Sequence, residues 1–193
     1  MKGENLQLFI NGDFVDALSE HKLTSTNPAT NKPFYQFPKA NEQDINRAVE
    51  SAQEAFLAWA QTPARERAKI LRKAADLLRL NNQELALLEA QDTGKPIQEI
   101  TAVDILTGAD CLDYYASLVA DLSGQHIPFE SAFVYTRREP LGVCAAIGAW
   151  NYPIQIACWK SAPALACGNT MVFKPSELTS LTALKLADIY QQA

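Results

Sequence analysis

The sequence predicts an α/β chain: a β-hairpin and a helical lead-in, then the opening strands of an incomplete, Rossmann-like parallel sheet. Three observations predict it. Apolar residues recur at three- and four-residue steps through most of residues 45–122, the period of amphipathic helices. Two short runs, GVCAAI at 142–147 and TMVF at 170–173, have the continuous apolar character of strands covered on both faces. Each run is followed by a helical stretch, and strand, helix, strand, helix in this order makes a βαβα unit of a parallel sheet.

Residues 8–15 read as a hairpin. Leu8-Phe9-Ile10 and Phe14-Val15 flank Asn11-Gly12, which supplies the positive φ angles of a tight two-residue turn. The segment STNPATN at 25–31 reads as a turn cluster, followed by a short strand near residues 34–37. Ile45, Ala48, Val49, Ala52, Phe56 and Trp59 form one apolar stripe of a first helix. Thr62-Pro63 reads as the start of a second, a capping hydroxyl followed by a proline whose missing N–H costs nothing there. Its buried face is Ile70, Leu71, Ala74, Leu77 and Leu78. A third helix starts at Asn82, carries Leu85, Leu87 and Leu88, and ends near Asp92-Thr93-Gly94. A fourth spans roughly residues 97–122 with Val103, Leu106, Leu112, Tyr115 and Leu118 in its stripe. Residues 133–139 are strand-like. Residues 154–166 form a helix containing Pro163, and residues 181–192 another. A doubly wound sheet needs more strands than these, so the pattern reads as incomplete, with an apolar strand edge near residues 170–173 open to partner strands or self-association.

Composition narrows the function classes. Of 193 residues, 48% are hydrophobic and 20% charged, with a formal charge of −5 and a pI near 5.1. Such acidity argues against a nucleic-acid or anionic-membrane partner. The basic run Arg65, Arg67, Lys69, Arg72, Lys73 is interspersed with Glu66 and Asp76 and reads as an exposed helix face. The four cysteines, Cys111, Cys144, Cys158 and Cys167, form no CxxC pair, and the only histidines are His21 and His126. This suits reduced core thiols rather than zinc. The opening MKGENLQLF lacks the apolar stretch of a signal peptide, and no run approaches membrane-spanning length. A cytoplasmic protein is expected.

Two segments carry candidate chemistry. Gly148-Ala149-Trp150-Asn151-Tyr152-Pro153 follows the first sheet strand, and ligands bind α/β folds at the C-terminal ends of parallel strands. The Asn151 amide offers two N–H donors that could hold an oxyanion; alternatively it caps the next helix at an ordinary turn. Phe173-Lys174-Pro175-Ser176-Glu177 follows the second strand. There Lys174 could donate to, and Glu177 accept from, the hydroxyls of a ribose; alternatively they are a surface ion pair.

Taken together, residues 135–189 (YTRREPLGVCAAIGAWNYPIQIACWKSAPALACGNTMVFKPSELTSLTALKLADI) closely resemble the aldehyde dehydrogenase superfamily. LFINGDFV, TNPAT, AFLAW, ARERAKILRKAADLL and DTGKP agree with it, so the resemblance covers essentially the whole chain. It implies the N-terminal part of that fold: residues 1–132 as the hairpin and helical part of a cofactor-binding domain, 133–141 as the start of an oligomerisation strand, and 142–193 as the first βαβα of the NAD-binding sheet.

In that family a cysteine thiolate attacks an aldehyde, hydride passes to NAD(P), and a glutamate-activated water releases the acid. The resemblance makes Asn151 the oxyanion-hole donor. Ile147, Gly148, Ala149 and Trp150 become the cofactor-lining segment, and Lys174, Ser176 and Glu177 the adenine-ribose site. A carboxylate at Glu177 favours NAD over NADP, because it repels a 2′-phosphate. GAWNYPIQIACWKSAPALACGN and VDILTGADCLDYYA are similar to bacterial betaine aldehyde dehydrogenases. There Tyr152 and Trp159 match two members of an aromatic box for trimethylammonium, a group with no hydrogen-bond donor that aromatic faces can hold; alternatively both rings are core or tunnel wall. Lys160 matches a charge-relay lysine, or alternatively is a buried or interface lysine with a structural partner. Ser25, Thr26, Asp92 and Leu178 match a potassium site built largely from backbone carbonyls.

None of the four cysteines matches the family's nucleophile motif, and the general-base Glu is also unmatched. The expectation is therefore that this chain alone is inactive, and that the parent enzyme is a homo-oligomer oxidising a small-molecule aldehyde. Two alternatives stand beside betaine aldehyde: another aldehyde or semialdehyde dehydrogenase, and a non-catalytic fragment that binds nucleotide or a partner.

Overall fold

The computed structural model describes residues 6–193; the leader-free reading of MKGENLQLF falls partly outside that range. Strands β1 (Leu8–Ile10) and β2 (Asp13–Val15) pair antiparallel, with Ile10 opposite Asp13. Asn11 and Gly12 both have positive φ, 57° and 78°, as the Asn-Gly signal requires. The next turn is shorter than STNPATN suggests. Ser25, Thr26 and Asn27 belong to β3 (Lys22–Asn27), which pairs with β4 (Lys32–Pro38). Only residues 28–31 turn, closed by the Asn31 N–H donating to the Asn27 carbonyl over 2.8 Å and by a positive φ at Asn31. Small polar residues that read as turn chemistry here sit in a ladder, because pairing with β4 satisfies their backbone.

Helix α1 (Glu42–Gln61) opens with a capping box between Asn41 and Asp44. Its stripe is only partly covered: Ala48, Ala52, Phe56 and Trp59 are half-buried, whereas Ile45 and Val49 are exposed. The helix lies against the parallel strands described below, fixed by Thr170 Oγ1 donating to the Ala52 carbonyl (2.8 Å) and Trp59 Nε1 to the Leu165 carbonyl (3.1 Å). Helix α2 (Ala64–Leu80) has no side-chain cap. Thr62 closes α1 instead, its hydroxyl donating back to the Ala58 carbonyl. The exposed-face reading of the basic run fails at Arg67. That side chain is buried and donates to the carbonyls of Ala166 and Thr62, two carbonyls left open at helix ends.

Helix α3 (Asn82–Thr93) stops at Gly94, in the left-handed region at φ 76°, as a helix C-terminus favours. The fourth helical stretch is composite. Helix α4 (Ile97–Glu99) runs into a π turn (Ile100–Asp104), where the Ile105 N–H bonds to the Ile100 carbonyl five residues back. Helix α5 (Ile105–Leu118) follows, then a 3-10 turn (Val119–Asp121). The extra residue shifts the buried stripe to Ile100, Ile105, Ala109, Leu112, Ala116 and Val119. Val103 and Leu118, expected in the stripe, are exposed: a constant helical period cannot see a five-residue step.

Strands β5 (His126–Pro128) and β6 (Phe133–Tyr135) form an exposed hairpin. The strand expected over 133–139 is limited to its first three residues. Strand β7 (Val143–Ile147) pairs parallel to β8 (Thr170–Lys174), with Ile147 opposite Lys174. Between them runs α6 (Pro153–Ala166), and α7 (Leu181–Gln192) follows. This is the βαβα unit expected from sequence. The covered-on-both-faces reading of β7 fails at Ala145 and Ile147, which share one face and are exposed. The main core lies between α2, α5, α6 and α7, with Leu71, Leu78, Ile105, Leu112 and Ile154 fully buried. Of the four thiols, all free, only Cys158 is fully buried. Among the described residues no helix is long and apolar enough to cross a membrane.

Candidate functional site

Residues 148–152 leave the C-terminal end of β7 and residues 175–180 that of β8. The strands are hydrogen-bonded neighbours, so the two candidate segments lie side by side. The Gly148 N–H donates to the Lys174 carbonyl (2.8 Å), extending the ladder by one step. A side chain at position 148 has no room: a Cβ would stand 2.7 Å from Phe173 Cζ and 3.1 Å from Pro175 Cα. Thr179 Oγ1 donates to the Trp150 carbonyl (3.2 Å) and joins the loops a second time. Gly148→Ala is therefore expected to force the loops apart and to lower stability by about 1–3 kcal/mol, as overpacking does; a thermal melt against the wild type measures it.

Ile147, Trp150 and Asn151 are exposed and Ala149 half-buried. Asn151 does not cap the following helix. The residue at the N-cap of α6 is Tyr152, whose side chain makes no capping bond. The acceptor comes from α3 instead: Glu89 Oε2 takes the Ile154 N–H at 3.2 Å. The Asn151 amide is thus not committed as a helix cap.

Tyr152 is half-buried. The Lys95 ammonium lies 3.4 Å from its ring centroid, and the Tyr152 hydroxyl donates to Glu99 Oε1 at 3.4 Å. Lys95 is held by Asp104, fully buried in the π turn, at 2.6 Å, and by Glu99 at 3.4 Å. Trp159 and Lys160 follow on α6 and are both exposed, so the reading of Lys160 as a buried lysine fails.

On the second loop Lys174 and Glu177 form an exposed ion pair at 3.0 Å. A backbone hydrogen bond first, then the Lys174 ammonium, hold the Glu177 carboxyl below the usual carboxylate range, so it is ionised at neutral pH. Ser176 is buried, and its hydroxyl accepts the Leu178 N–H (3.2 Å), shaping the loop.

A third cluster braces that loop from behind. The Ser25 hydroxyl donates to Asp92 Oδ1 (2.8 Å) and lies 3.4 Å from the Leu178 carbonyl. Ser25, Asp92 and Leu178 therefore converge, whereas Thr26 is exposed on β3. The Tyr35 hydroxyl donates to Asp92 (2.8 Å) and accepts the N–H groups of Ser180 and Leu181, each at 3.1 Å. Burial pushes the Asp92 carboxyl up to about 6, against the lowering effect of its Ser25, Tyr35 and Leu181 hydrogen bonds. Burial, then the Asp92 charge, push the Tyr35 phenol above its ordinary range. These are hard oxygen donors, which suit an alkali or alkaline-earth cation rather than a thiophilic metal. Among the described residues no group of three or more His, Cys, Asp or Glu could hold a metal.

Sequence reasoning missed Tyr35, Glu89, Lys95, Glu99 and Asp104. A signal for Glu89 was present: it shares a helical face with Leu85, Ala86 and Asp92, and an acid inside an apolar stripe needs partners.

The family model for the aldehyde dehydrogenase family matches residues 14–193. The fold is similar to aldehyde dehydrogenase from Bacillus cereus, solved as an NAD+ complex, at 40% identity and TM-score 0.95, over 98% of this chain and 39% of that one. PnpE from Pseudomonas sp. WBC-3 is similar at 36% identity and TM-score 0.95, over 98% and 39%, and has also been solved with nicotinamide adenine dinucleotide. Aldehyde dehydrogenase from Brucella melitensis biovar abortus 2308 is similar at 34% identity and TM-score 0.93, over 96% and 39%. The chain thus spans about two-fifths of the length of these structures and superposes on the N-terminal part of their fold. On the family match and these likenesses, the chain belongs to the aldehyde dehydrogenase family.

Proposed function

We propose that the protein carrying this chain oxidises an aldehyde with NAD(P), with betaine aldehyde, converted to glycine betaine, as the substrate its residues suit best. The observation that carries the reading is the joining of two loops at the ends of adjacent parallel strands, one bearing Asn151 and the other Lys174 and Glu177. Asn151 donates its amide N–H to the oxygen on which negative charge grows. Lys174 donates to, and ionised Glu177 accepts from, the ribose hydroxyls, with Ser176 shaping their loop and Ile147, Gly148, Ala149 and Trp150 lining the cofactor. Bound NAD(P) supplies the hydride acceptor. The Glu177 carboxylate favours NAD. Lys160 serves as the charge-relay lysine. Potassium is the cation proposed for the Ser25, Thr26, Asp92 and Leu178 region. Burial pushes the thiols of Cys111 and Cys158 up, which suits neither to act as the attacking thiolate. The exposed Phe129, Phe133 and Tyr135 of the β5–β6 hairpin support a homo-oligomer.

Tyr152 supports the trimethylammonium reading because its ring is a face that can hold a cation, as it holds the Lys95 ammonium, and Trp159 is exposed on the helix that follows it. The same contact favours a second reading, an uncharged aldehyde or a semialdehyde, since Lys95 occupies one of the two ring faces. Steady-state kinetics on the gene product separate them. Betaine aldehyde is expected to exceed its uncharged isostere 3,3-dimethylbutanal in kcat/KM by about tenfold or more, the worth of a partly desolvated cation–π contact. Equal values would overturn the betaine assignment.

A further inference from the structure

Neither loop of the site is anchored by its own helix cap. Helices α6 and α7 both begin without a side-chain capping bond, yet each N-terminus is positive and carries N–H groups without intrahelical partners. At α7 the N–H groups of Ser180 and Leu181 go to Tyr35, but one side chain reaches both helices. Glu89, on α3 and fully buried, takes the Ile154 N–H of α6 (3.2 Å) and the Thr182 hydroxyl of α7 (2.7 Å) on the same oxygen, Oε2. Ile154 lies three residues after Asn151, and Thr182 five after Glu177.

We infer that Glu89 is a positioning residue that ties the Asn151 loop to the Glu177 loop through this shared oxygen. The inference rests on the roles given above to Asn151 and Glu177. Asp92, one turn later on the same face of α3, reinforces the second tie through Tyr35 and the Leu181 N–H. Helix α3 thereby sets the separation of oxyanion donor and cofactor carboxylate by holding the helices that follow them. Burial pushes the Glu89 carboxyl up to about 8, with the hydrogen bonds from Thr182 and Ile154 and the Lys95 charge lowering it and the Asp104 charge raising it. It is therefore largely protonated at neutral pH. Its other oxygen, Oε1, has no partner among the described residues, which leaves a place for the proton. A glutamine reproduces that arrangement, one carbonyl acceptor and one donor-bearing atom, and a methionine does not.

The test uses the gene product with Glu89→Gln, Glu89→Met and Thr182→Val, read by amide hydrogen exchange and by kinetics. Glu89→Met is expected to speed exchange about tenfold or more at both 150–156 and 176–183, a local rather than global opening. It should also raise the KM for NAD and lower kcat together. Glu89→Gln should restore wild-type exchange and both constants, which a generic packing role would not require. Thr182→Val, which leaves the Ile154 bond intact, should speed exchange at 176–183 alone and decides the question if Glu89→Met fails to fold. Opening of only one loop in Glu89→Met, a Glu89→Gln variant as open as Glu89→Met, or a silent Thr182→Val would each overturn the inference. Should the exchange results hold while the wild type oxidises no aldehyde, the proposed function fails and the tie stands.

Discussion

Truncating Asn151 to alanine is expected to lower kcat for aldehyde oxidation by the gene product about 10²- to 10³-fold, roughly 3–4 kcal/mol of barrier, as loss of one oxyanion donor does elsewhere. The structure makes this a clean experiment. Asn151 is exposed, and the residue at the N-cap of α6 is Tyr152, with Glu89 supplying the acceptor for Ile154. Alanine at this position therefore removes neither core packing nor a cap, and stability should stay within about 0.5 kcal/mol. Loss of kcat with an unchanged melting temperature and unchanged KM for NAD is the expected signature. Asn151→Asp should be as inactive, because a carboxylate repels the charge the amide would stabilise. Near-normal kcat in the alanine variant would remove Asn151 from the chemistry.

The largest effect on stability is expected from Lys95→Met. The Lys95 ammonium is 2.6 Å from Asp104, which is fully buried, and its other contacts are Glu99 and the Tyr152 ring. Burial draws its pKa down, but the hydrogen bond and charge of Asp104 outweigh this and leave it raised. Methionine keeps the bulk and removes the charge, so Asp104 is left buried without a counter-ion. Breaking one side of a buried pair typically costs about 3–5 kcal/mol, a large share of the roughly 5–15 kcal/mol that holds a domain folded. A fall in melting temperature of about 10 °C follows from the entropy of a chain this size. The double variant Lys95→Met, Asp104→Asn should recover most of the loss, since both charges are then gone. If the single variant melts with the wild type, the ion pair carries no weight.

Much of this was legible from the sequence because local rules and tertiary structure agree. Asn11-Gly12 permits one tight turn and the chain makes it; Gly94 ends a helix where the apolar pattern stops. The alternation from 142 onward gave the parallel strands and both loops at their ends. What could not be read depends on groups distant in sequence. Arg67 looked solvated because its neighbours are charged, and it turns inward to carbonyls presented by α6 and by Thr62. Tyr35 falls in the short strand read near residues 34–37, where nothing local shows that its hydroxyl closes the N-terminus of α7 across some 145 residues. Glu89, Lys95 and Asp104 lie within sixteen residues of one another, but the π turn that aims Asp104 at Lys95 breaks the period by which such a pairing could be inferred.

That π turn also holds one residue more than an α-helix needs between two buried positions. Deleting one of Thr101, Ala102 and Val103 would let the segment close into an uninterrupted α-helix, with Ile100 and the first isoleucine of α5 four apart and still on one face. Both would stay in the core, and Lys95 would keep its bearing on α5. A second deletion has no slack left to absorb it and would rotate every position before it by about 100°, carrying Lys95 off the Tyr152 ring.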